Sequence, residues 1–65
     1  MTRETVDRVL KAMERDYGMA SDNAHRARAA AQRAHTPAEA ALYREYEREE
    51  TDARNALSEV KAALR

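Results

Sequence analysis

Apolar side chains return at Val6, Leu10, Met13, Tyr17, Ala20, Ala24, Ala27, Ala31 and Ala34, in steps that alternate four and three without a slip. That is the heptad rhythm of a helix laying one narrow stripe against another helix. A strand cannot use it, because strand faces repeat every second residue. After an interruption the rhythm resumes at Tyr43, Tyr46, Ala53, Leu57, Val60 and Leu64, with Glu50 standing in the one seam position that is not apolar. Alanine, Glu, Arg and Leu dominate the chain and all favour helix. The fold class is all-α.

The interruption is a designed helix start. Thr36-Pro37-Ala38-Glu39 has the Thr-x-x-Glu form of a capping box, in which the Thr hydroxyl and the Glu carboxylate each satisfy the other's backbone N–H. Proline at the first helical position loses nothing, since its missing N–H would have no partner there. The residue before a proline disfavours α geometry, which stops the incoming helix near His35. The sequence therefore predicts one domain over 1–65, with a helix over about 3–35, a turn at 35–37 and a helix over about 37–64.

So short a connection makes the helices antiparallel neighbours, a coiled-coil-like hairpin. Ala27 then meets Tyr46, Ala20 meets Ala53, Tyr17 meets Leu57 and Met13 meets Val60, so that near the turn small residues face large ones. Charges that play no part in this alignment agree with it: Glu14 falls opposite Lys61, and Arg28 opposite Glu47. One stretch offers an alternative. Gly18, Ser21, Asp22 and Asn23 are poor in a helix interior, and a break at Gly18–Ser21 would give three helices.

Composition excludes several classes. There is no cysteine, hence no disulfide and no thiolate metal site, which suits a reducing compartment; the expected location is the cytoplasm. The start MTRETVDRVLKAMERD never runs more than two apolar residues together, so it carries no secretory core, and no stretch is long enough to cross a membrane. Twelve basic and 12 acidic residues leave no bulk pull toward nucleic acid.

Candidate chemistry is sparse. Asp22 and His25 have ligand spacing, but the heptad turns them toward solvent, and His35 suits a helix C-terminus. No Ser-His-Asp set, phosphate loop or zinc spacing occurs, and the three tyrosines fit packing. Neither catalysis nor a cofactor or metal is expected. Glu50, opposite the small Ala24, is a candidate specificity residue of the kind that polar seam positions provide. Arg26, Arg28, Arg33, Arg44 and Arg48 form a candidate nucleic-acid patch, set against the acids of the facing helix.

The two flanks of the seam differ. One carries Asp7, Glu14, Arg28, Glu47, Arg54 and Lys61; the other carries Val9, Ala30, Leu42, Ala56 and Ala63, interrupted by Asp16, Asn23 and Glu49. A 65-residue hairpin with apolar surface left over is expected to form a homodimeric four-helix bundle through that flank. The functional expectation is a non-enzymatic protein–protein interaction module, an adaptor, inhibitor or assembly factor with a protein partner. The alternative is a small dimeric RNA- or DNA-binding regulator using the arginine patch.

Overall fold

The computed structural model describes residues 2–64. Two helices make up the fold, α1 over Arg3–Ala34 and α2 over Pro37–Ala63. They lie antiparallel in a rod of 48 × 15 × 12 Å. At 1.5 Å per residue, the 32 residues of α1 account for that whole length. No strand occurs among the described residues.

Both helices open on a threonine. Thr2 Oγ1 accepts from the Thr5 N–H at 3.2 Å, and Thr36 Oγ1 accepts from the Glu39 N–H at the same distance. The capping box forms by half, because no bond returns from the Glu39 carboxylate to the Thr36 N–H among the described residues. The half-buried Glu39 side chain instead helps to wall a hollow beside Leu42.

α1 ends one residue before the expected His35. That residue adopts the left-handed conformation, φ 53° and ψ 30°, while its N–H still donates to Ala31 O at 3.0 Å. The turn costs a non-glycine residue in a region that favours glycine.

α1 runs unbroken through Gly18, Ser21, Asp22 and Asn23, so the three-helix alternative is not adopted. Ala20 and Ala24 hold the seam on either side of the weak stretch. Continuous packing of the seam outweighs roughly 0.5–1 kcal/mol of poor propensity per residue.

The core is thin. Among the described residues Ala24, Ala27 and Leu57 are buried, at 4%, 6% and 8% exposure. Val6, Leu10, Met13, Tyr17, Ala20, Tyr43, Tyr46, Ala53 and Val60 line the seam but stay half-buried, and so does Glu50. The seam does not reach its expected ends: Ala34, beside the turn, is exposed, and Leu64, where α2 itself ends, is 46% exposed. Lys61 Nζ lies 3.8 Å from Glu14 Oε1, as the register requires. Arg28 makes no such pair with Glu47, whose Oε2 accepts a 2.5 Å hydrogen bond from the Tyr43 hydroxyl one turn back on its own helix.

Candidate interaction surface

The heptad decides what each flank shows. With the seam fixed, positions 9, 16, 23 and 30 of α1 and 42, 49, 56 and 63 of α2 border it on one side, and Met19 and Arg26 lie just outside that row. Val9 is 40% exposed, Leu42 42% and Met19 60%, and all three share this flank. The opposite flank carries Asp7, Lys11, Glu14, Arg28, Glu47, Arg54 and Lys61, and no large apolar side chain. Sequence reasoning missed Met19. Following only the row next to the seam took it past Asp16 and Asn23 and left out the neighbouring row.

Two hollows open on the apolar flank, one at each end of the rod. At the open end Val6, Val9, Val60 and Leu64 surround a small hollow of about 40 Å³ with a wholly apolar lining. Near the turn a wider one, about 320 Å³, lies among Asn23, Arg26, Ala27, Ala30, Leu42 and Tyr46. Its cause is the alanine row: methyl groups at 27 and 30 leave room that a longer side chain would fill. The expected interface residues thus fall into two groups. Val9 and Leu42 are the exposed anchors. Ala30 is a half-buried wall, and Ala56 and Ala63 are exposed small positions between them.

The candidate arginines do not form one patch. All five are exposed, but Arg26 lines the turn-end hollow on the apolar flank while Arg28 faces the charged flank, where it stands near the Tyr43 phenol. Helical spacing puts Arg33 with Arg26, Arg44 with Arg28, and Arg48 on the outer face.

Around Tyr43 the electrostatics are local. The hydrogen bond to Glu47 raises its phenol above the ordinary value, loss of hydration and the Glu47 charge add to this, and Arg28 opposes it. Among the described residues no three His, Asp or Glu side chains converge as metal ligands, and no helix is long and apolar enough to cross a membrane. The flank carries a wholly apolar hollow at the open end and a mixed one, with Asn23, Arg26 and Glu39 beside Leu42, near the turn. No protein-family model, curated protein or solved structure matches the chain.

Proposed function

We propose that the protein is a non-enzymatic protein–protein interaction module that docks through the flank bearing Val9, Met19 and Leu42, with a second copy as its first partner. One observation carries this: the large exposed apolar side chains of the helix bodies, Val9, Met19 and Leu42, lie on a single flank while the other carries none. Scattered over the surface they would need no explanation; aligned on one face along the rod they favour an interaction surface. The thin core adds weight, since a hairpin with three buried residues among those described gains more than most from a partner. The absence of cysteine suits a reducing compartment, and the proposed location is the cytoplasm.

Sedimentation equilibrium, paired with melting curves over a hundredfold range of concentration, tests the proposal. Self-association predicts a dimer mass and a melting temperature that rises with concentration. A folded 7.4 kDa monomer with a concentration-independent melt would refute it. Anisotropy with labelled RNA and DNA covers the regulator alternative: sub-micromolar affinity near 150 mM salt would favour that function instead.

A further inference from the structure

Resting on the self-association proposed above, we infer that the two copies pair turn to turn, with the two-fold axis along the rod, so that α1 of each faces α2 of the other. The area fits one such interface. The hairpin exposes 5278 Å², where a compact monomer of its mass would expose about 4,200 Å². The excess, about 1,080 Å², is enough to supply the roughly 800 Å² that each partner contributes to a standard interface.

Charge selects the arrangement. On the docking flank α2 presents Glu45, Glu49, Asp52 and Glu59 and no base. Turned end for end, the copies would set α2 against α2, bringing two acidic rows together without a cation between them. Turn to turn, α2 faces α1, and Glu45 and Glu49 come level with Arg26 of the second copy. Arg26 has no carboxylate within 4.0 Å in its own hairpin among the described residues, so it is available. One like-charge approach remains, Asp16 to Glu59.

An opposing effect exists and is smaller. Residues 24–48 hold five arginines against three glutamates, so the turn half is positive by two and the described open half is negative, which favours end-for-end pairing. Those excesses are spread along an exposed rod 48 Å long, and a screening length of about 8 Å removes most of their pull. Contact pairs decide.

The hollows agree. Turn to turn, the wholly apolar open-end hollow meets its own copy, and Leu42 meets the Ala30 wall of the wider hollow. End for end, α1 meets α1 and Val9 would instead approach Arg26.

A cysteine-free chain makes the test clean. Ala41 is exposed and points away from both the seam and the docking flank, so Ala41→Cys accepts a nitroxide label outside the interface. Turn-to-turn pairing sets the two labels level, roughly 20–35 Å apart across four helices spaced 8–10 Å. End-for-end pairing separates them along the 48 Å rod, to about 45 Å or more. Independently, Arg26→Glu should weaken association at least tenfold, and adding Glu45→Arg should restore most of it. A dimer by sedimentation with only the long distance, or with no rescue by the charge swap, overturns the arrangement and leaves the interaction module standing. A monomer overturns both.

Discussion

Leu42 gives the docking flank its sharpest test. It is 42% exposed in the single hairpin, so just over half of its apolar surface is already covered. Burying a leucine completely contributes about 1.5–3 kcal/mol, and the uncovered part accounts for about 0.6–1.3 kcal/mol of that. Two-fold symmetry doubles the gain to about 1.3–2.5 kcal/mol per dimer. Leu42→Ala should therefore raise the dimer dissociation constant roughly 10- to 70-fold. Leu42→Glu should do more, because each carboxylate must either be buried without a partner or hold the interface open.

Leu42 also covers part of the seam, so its loss weakens the hairpin itself. The control is one residue away. Ala41→Glu makes the same change of charge on the same helix turn, at an exposed position that faces outward. Sedimentation equilibrium of the three variants beside the wild type, with far-ultraviolet circular dichroism at each concentration, separates unfolding from dissociation. If Leu42→Glu and Ala41→Glu dissociate the dimer equally, the effect is one of net charge, and the flank is not the interface.

The backbone makes two opposite glycine predictions. A β-carbon built at Gly18 meets nothing within 4 Å, so Gly18→Ala should stabilise by about 0.5–1 kcal/mol and raise the melting temperature by a few degrees. His35→Gly should also stabilise, by a similar or smaller amount, because relief of the left-handed strain at φ 53° exceeds the added freedom of the unfolded chain; a lower melting temperature would show the strain to be absent. Tyr43 should ionise above its ordinary 10, and Glu47→Ala should bring the midpoint of its phenolate absorbance back toward that value. Since the folded phenol is held up, its contribution to stability is complete below pH 10 and is lost as pH rises through the folded value.

What was legible in the sequence is what is local or periodic. The heptad gave the seam, Thr36 and Pro37 gave the second helix its start, and the short turn gave the register, with which the Glu14–Lys61 pair agrees; each depends on local residues or on one repeated spacing. The left-handed His35 had only a weak signal: histidine is enriched among non-glycine residues in that conformation, but glycine and asparagine are its usual marks at a helix end. Glu39 was assigned to Thr36 because spacing permits the contact, but spacing does not weigh it against the hollow that the side chain lines instead. Arg28 and Glu47 failed to pair for a similar reason: Tyr43, one turn away, already engages the carboxylate. Depth of burial was the largest gap. Two helices touch along one line and close over a methyl group, so Ala24 and Ala27 are buried while Tyr17 and Tyr46, larger and equally central to the pattern, are not.

That geometry bears on Glu50. It is half-buried opposite Ala24, the most buried residue in the chain, and makes no hydrogen bond or ion pair among the described residues. A carboxylate is tolerable there because the small partner lets it lean out to water. Sliding the helices by one heptad would set Glu50 against Tyr17, where the ring would close that route. The expected specificity role of Glu50 would then lie in opposing a slide toward Tyr17, as polar seam residues do in coiled coils. Glu50→Leu should accordingly raise the melting temperature, since covering about half of a leucine contributes roughly 1 kcal/mol. It should at the same time broaden the distribution of association states in sedimentation velocity, because the seam would no longer distinguish its registers. A fall in melting temperature would mean that the carboxylate stabilises the hairpin directly and that register is fixed elsewhere, by the alanines near the turn.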